Sequence, residues 1–357
     1  MKRLRALVRL GWQLAAIGVI TFGLAEVTVR ACRYFAPSLL PSIIFYDQSY
    51  NRYRGRAGAL DYGFRLNSAG FKDVEFTETK AAGTYRVVAL GDSFAFGVVP
   101  YEHNYLTLLE QRLNDSGRRT EVINMGIPGI GPQDYLAVLA NEGVRLKPDM
   151  VLVSFFVGND FAETMRLRTR LHQFSDFLAL IKYVVDSHTK FAGQQIHVNP
   201  QYDDNAPYFS EGTFIKVAAE RSWIFRRPPT YEQAFSDAVN YLVQIKDLCT
   251  RNNIALSVAI IPDEIQVTPD LQTRVLDALS LRPNDLDFTG PGRFLTGQLR
   301  QHDIDAIDLL PGFANKAGQL RLYKPLDTHW NIAGNKLAAE LLEQHLAKRF
   351  SLGAGTK

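Results

Sequence analysis

The chain has 357 residues, of which 46% are hydrophobic and 22% charged, and a formal net charge of +3. Such a composition is that of a globular protein, and the length can bury one large core or two modest ones. Residues 1–33 carry net +5 through Lys2, Arg3, Arg5, Arg9, Arg30 and Arg33 against Glu26, which leaves −2 for the rest and argues against nucleic acid as a partner. Two cysteines, Cys32 and Cys249, argue against a disulfide framework, and their spacing is not that of a metal site. No metal or cofactor is expected.

Lys2, Arg3, Arg5 and Arg9 precede an apolar stretch from Leu10 to Val29, interrupted by Gln13 and Glu26. That stretch has about the ~20 residues a membrane-spanning helix needs. Residues 1–33 read as an uncleaved signal-anchor, with the basic cluster inside and the remainder outside the cytoplasm. A cleaved secretory signal is the alternative, although no convincing cleavage site precedes Arg30.

Residues 34–80 read as a linker and leader. Arg52, Arg54 and Arg56 lie there, either near anionic head groups or, the preferred reading, simply solvated. Arg65–Asp73 is rich in turn formers.

From residue 81 strands and helices alternate. Tyr85–Leu90, Glu121–Asn124, Asp149–Phe155, Ile254–Ile261 and Ile304–Leu309 are predicted strands. Helices are predicted over Glu102–Asp115, Gln133–Leu146, Tyr231–Asn252, Arg293–Gln301 and Asn331–Lys348. This alternation predicts a doubly wound α/β fold, a flavodoxin-like three-layer α/β/α sandwich on a five-stranded parallel sheet. Such sheets bind ligands beyond the carboxyl ends of their strands. The domain is expected over 81–350, with 351–357 a tail. Residues 161–229 form an insertion, in which Leu171, Phe174, Phe177, Leu178, Ile181, Val184 and Val185 repeat at helical spacing. A helix packed on the core is expected there; a cap over the site or a membrane-facing surface is the alternative. Arg166, Arg168 and Arg170 at its start either bind an anionic glycan or lipid or form a solvated face.

Val87–Leu90 runs into Gly91-Asp92-Ser93. A serine at a sharp strand-to-helix turn has its hydroxyl at the sheet end, near amides able to bind an oxyanion. Asp and Ser are also ordinary helix caps. Three later segments decide between these readings. Gly91-Asp92-Ser93, Asn124-Met125-Gly126-Ile127-Pro128-Gly129, Gly158-Asn159-Asp160 and Asp327-Thr328-His329 resemble, in order, the four blocks of the SGNH (GDSL) hydrolases. In that family the last Asp usually stands three residues before His, whereas Asp327 stands two before His329. The Asp-x-His-Trp form is similar to that of bacterial alginate-acetylation proteins.

The resemblance implies Ser93 as nucleophile, His329 as base and Asp327 as the residue that orients the imidazole, with a turn or helix-cap role as the alternative for Asp327. It implies an oxyanion site of Ser93 N, Gly129 N and the Asn159 amide, with Gly129 fitting better than Gly126. Asp92 and Asp160 are expected to hold loops, and Trp330 to line the acyl pocket or anchor the last helix. The implied activity is a serine esterase or O-acyltransferase on acyl groups, acetyl foremost, of an envelope glycan or another acylated small molecule, periplasmic and anchored in a bacterial inner membrane. A lipase or thioesterase, and a non-catalytic glycan-binding protein, are the alternatives.

Overall fold

A computed structural model describes residues 2–35, 54–55, 57–117, 119–163, 175–181, 201–227 and 232–350. Five strands form one parallel sheet: β3 (Tyr85–Gly91), β4 (Thr120–Asn124), β5 (Met150–Phe156), β6 (Ala255–Ile261) and β7 (Asp305–Asp308), in the order β4-β3-β5-β6-β7. A short antiparallel pair, β1 (Leu60–Asp61) and β2 (Phe64–Arg65), precedes them. Every residue of β5 is buried. Central strands of a parallel sheet are covered on both faces, so they read as unbroken apolar runs.

Alternate residues feed two cores. Val88, Leu90, Val151, Val153 and Phe155 meet α4 (Pro132–Asn141), α6 (Glu232–Arg251) and α8 (Gly290–Gln301). Val87, Ala89, Met150 and Leu152 meet α3 (Tyr105–Asp115), α9 (Leu310–Ala317) and α10 (Ile332–Phe350). The result is the three-layer α/β/α sandwich. Further helices are α2 (Ser93–Phe96), α5 (Glu211–Arg221) and α7 (Pro269–Ala278).

Two predicted helices differ at their ends. The first begins as a 3-10 turn over Tyr101–His103. The α-helix then starts afresh at Asn104, whose side chain accepts the Leu106 amide at 2.8 Å. The second stops at Asn141, and Gly143–Leu146 is a 3-10 turn ended by Lys147 at φ +50°.

The N-terminal helix α1 (Lys2–Phe35) contains an apolar span of 25 residues, Val8–Cys32, with mean hydropathy 1.6. At 1.5 Å per residue this exceeds the ~30 Å of a bilayer core. Trp12, Val19 and Val27 are exposed on it, as lipid-facing side chains are.

The leader is more deeply embedded than its turn-rich sequence suggests. Phe71 is fully buried and Lys72 nearly so. Lys72 Nζ donates to the carbonyls of Gly97 (2.7 Å) and Val99 (2.6 Å) and pairs with Asp61. Arg54 is not a solvated charge. It pairs with Glu142 and lies over the Phe71 ring at 4.5 Å, because the leader crosses the end of α4. Arg52 and Arg56 lie outside the described residues.

In the insertion, Arg166, Arg168, Arg170, Leu171, Phe174, Val184 and Val185 lie outside the described residues. Residues 176–181 are helical and pack on α1 rather than on the sheet core. Glu26 accepts hydrogen bonds from the amides of Asp176 and Phe177 and from Ser175 Oγ, and the rings of Phe22 and Phe177 meet edge to face.

Candidate active site

β3 ends at Gly91, and Asp92 caps α2 by accepting the Phe94 amide at 2.9 Å. Ser93 is thereby the first residue of a one-turn helix at the carboxyl edge of the sheet. The capping and nucleophile readings are compatible, since Asp92 caps and Ser93 presents its hydroxyl. Burial pushes the Asp92 carboxyl up to about 6, against the opposing pull of the Phe94 amide and of His329.

His329 arrives from the loop before α10. Its Nδ1 lies 2.7 Å from Asp327 Oδ1 and its Nε2 lies 2.8 Å from Ser93 Oγ. A carboxylate only accepts, so Nδ1 carries the proton and Nε2 is left to accept from the hydroxyl. Asp327 Oδ1 also accepts the main-chain amide of His329 at 3.1 Å. The two-residue spacing thus suits an Asx-type turn in which one oxygen holds both amide and ring. Burial alone would raise the Asp327 carboxyl; the imidazole, its hydrogen bonds and Lys324 reverse this and hold it at about 2. The helix-cap role falls elsewhere: Asn331 Oδ1 accepts Gly334 N, and Asp204 Oδ1 accepts Ile332 N.

The three expected oxyanion donors stand on loops after β3, β4 and β5. Ser93 N and Gly129 N find no acceptor among the described residues. Gly129 has φ +72°, which only glycine adopts at little cost. Gly126 has another task. Its amide donates to Asn124 Oδ1, and a Cβ there would lie 2.3 Å from Phe96 N, so it lets the β4 loop press on α2. The Asn159 side-chain amide donates to Asp92 Oδ2 at 3.1 Å, which uses one of its two hydrogens. Asp160 accepts from Tyr135 Oη and from Phe156 N, and so fixes the turn that carries Asn159.

Trp330 is an anchor. It is 2% exposed, stacks on Phe313 and meets Phe94 and Tyr105 edge to face. Phe94, next to Ser93 in the chain, lies 5.2 Å from the His329 ring and 4.4 Å from that of Phe156.

No pattern along the chain signals what holds the loop of Asp327 and His329. Leu326 has φ +49°, costly for a branched side chain. The insertion secures this turn: the amides of Tyr208 and Phe209 donate to the carbonyls of Pro325 and Leu326. Tyr202 Oη donates to Asp204 Oδ1, and the Lys324 ammonium lies 5.4 Å from the Tyr202 ring centre. A separate cleft of about 470 Å³, lined in part by Arg226, Arg227, Asp287 and Phe294, contains none of these residues.

Residues 217–357 match the family described as the SGNH hydrolase-like domain of the acetyltransferase AlgX. No curated protein matches the chain. Among solved structures, similar folds include TesA, at 13% identity and TM-score 0.41, covering 74% of this chain and 98% of that one. The acetyl xylan esterase AlAXEase is 16% identical with TM-score 0.43, covering 72% and 98%. A two-domain esterase, CEX, active on acetylated mannans, is 14% identical with TM-score 0.42, covering 77% and 52%. Residues 217–357, which hold Asp327 and His329, are thus similar to that SGNH hydrolase-like domain, and the other three sequence blocks stand in order on the preceding turns of the same sheet.

Proposed function

We propose that this protein is a serine esterase or O-acyltransferase that acts on acyl groups, acetyl foremost, of an envelope glycan. The observation that carries the reading is the continuous array Ser93 Oγ, His329 Nε2, His329 Nδ1, Asp327 Oδ1, with contacts of 2.8 and 2.7 Å. The matched family, described for an acetyltransferase, supports acetyl as the acyl group.

In this reading Ser93 Oγ attacks the ester carbonyl while its proton passes to His329 Nε2. The carbonyl oxygen becomes an oxyanion, stabilised by Ser93 N, Gly129 N and the free hydrogen of the Asn159 amide. Collapse of the tetrahedral species expels the sugar alkoxide, which takes the proton back from His329 and leaves an acyl-Ser93. Water or a second sugar hydroxyl, deprotonated by His329, then attacks the acyl carbon and regenerates Ser93. Asp327 holds the imidazole in the tautomer that each step needs. The 25-residue apolar span of α1 supports a single-pass anchor, and the basic residues Lys2, Arg3, Arg5 and Arg9 ahead of it support a periplasmic domain.

A fluorophosphonate probe applied to the full-length protein in detergent tests the reading. Wild type should be labelled, and Ser93→Ala should not. Labelling that survives Ser93→Ala sinks the assignment. Release of acetate from acetylated oligosaccharides, compared with p-nitrophenyl esters of rising chain length, separates the glycan reading from a lipase or thioesterase.

A further inference from the structure

The two oxygens of Asp327 face different partners. Oδ1 accepts the amide and the ring of His329. Oδ2 lies 3.4 Å from Lys324 Nζ, and the two side chains are 6% and 3% exposed. The Lys324 amide donates to the His329 carbonyl at 3.0 Å, so ammonium and imidazole stand at the two ends of one closed loop. Tyr202, from the insertion, covers the ammonium. The other titratable groups that act on Asp327, Lys324 or His329 are Tyr62 from the β1–β2 hairpin, Tyr208 from the insertion, Glu264 beyond β6, Lys72 from the leader and, facing the imidazole itself, Asp92 from the turn after β3. Among the described residues, Lys324 is the lysine or arginine in ion-pair contact with this carboxylate. A Ser–His–Asp array needs no lysine, and a buried ammonium is costly unless it is paired.

We propose that Lys324 is a positioning residue of this site, whose ammonium holds Asp327 by Oδ2 and weakens the carboxylate's pull on the imidazolium, so that His329 stays a base to lower pH. The inference rests on the reading of Ser93, His329 and Asp327 given above. Two effects act together. Held at Oδ2, the carboxylate turns Oδ1 alone toward the ring. A cation close behind the carboxylate also disfavours a second cation in front of it. Lys324 contributes to holding the Asp327 carboxyl low, after the imidazole.

The test is the rate at which a fluorophosphonate labels Ser93 between pH 5 and 9, measured on the full-length protein in detergent. Wild type, Lys324→Met, Lys324→Gln and Lys324→Arg are compared. Lys324→Met should move the acid limb up by about half to one pH unit, which lowers the rate at pH 6 by roughly three- to tenfold and the plateau by less. Lys324→Arg, which keeps the charge, should return the limb toward wild type. If Lys324→Met does not fold, Lys324→Gln carries the same expectation. An unmoved limb in a folded Met or Gln variant overturns the proposal, as does an equal displacement in Lys324→Arg. Loss of the fold in both neutral variants while Lys324→Arg folds marks a structural tie and also overturns it. A wild type that takes no label sinks the site reading and this inference with it.

Discussion

The turn at Ser93 and the loop at Asp327–His329 meet across 2.8 Å, yet they are built in opposite ways. The turn at Ser93 is local. Its strand is a run of buried apolar residues, its helix is capped by the preceding residue, and its neighbours are the adjoining strand ends. The loop at Asp327–His329 is held from outside. Its backbone is strained at Leu326, its carbonyls accept amides from residues more than 100 positions earlier, and a buried lysine lies on its carboxylate. One half of the site therefore comes with the sheet, whereas the other depends on an insertion that the sheet does not require. Substitutions of the reacting side chains should remove chemistry and leave the fold intact; substitutions of the contacts that hold the loop from outside should change both.

The largest effects are expected at the reacting groups. His329→Ala should lower turnover on the order of 10,000-fold or more with little change in melting temperature. Asp327→Asn should approach that loss, because an amide favours the wrong imidazole tautomer. Asn159→Ala should lower kcat by about 100- to 1000-fold and leave KM nearly unchanged, since an oxyanion donor acts in the transition state. A KM-only effect would make Asn159 a substrate-binding residue instead. Steady-state kinetics with circular dichroism of each variant provide the comparison.

A smaller effect is expected where the insertion grips the loop. Asp204 Oδ1 accepts from Tyr202 Oη and from the Ile332 amide at the start of α10. Asp204→Ala should cost about 1 kcal/mol, as loss of a helix cap does. For a domain of this size that is a fall in melting temperature of roughly 2–4 °C. Because the grip sets the loop, kcat should fall several-fold as well. A variant with lowered melting temperature and wild-type kcat would show that the insertion stabilises the domain without positioning His329.

The smallest effect is a slope. Burial pushes Asp73 up to about 7, Asp92 to about 6 and Glu264 to about 8, the last also through Asp263 and Asp327. Each of these groups keeps its proton in the folded protein at pH values where the unfolded chain has lost it. Stability should therefore decline as pH rises from about 4 to 8. Asp327, held at about 2, works the other way: its contribution is present above about pH 4 and is lost as pH falls toward 2. Asp73→Asn should flatten the decline, read as melting temperature against pH. An unchanged slope would show that Asp73 is ionised throughout, satisfied by the Asn124 and Val74 amides and by Tyr101 Oη.

Much of this arrangement is legible along the chain. Runs such as Val87–Leu90 and Met150–Phe156 announce buried strands because a parallel sheet leaves them no solvent face. Ser93, Gly129 and Asn159 follow strand ends, so their common edge can be anticipated from alternation alone. The two helix breaks were not legible, since Asn104 and Gly143 act through capping and close packing rather than through period. Trp330 was ambiguous for a similar reason: an aromatic beside a catalytic histidine has the same sequence signature whether it faces substrate or core.

The sequence by itself determined the individual strands, the apolar span of α1 and the place of each of the four blocks, because each depends on residues within a turn or a strand of one another. Only the tertiary structure decided that the leader locks onto the exit of α2 through Lys72, that residues 202–209 clamp the acid–base loop, and that Lys324 stands behind Asp327. The clamp joins residues more than 100 positions apart, and Lys324 reaches its place only because the loop is closed on itself. No periodicity encodes such contacts, and their energies arise only when the burial of the fold removes water from around the charges.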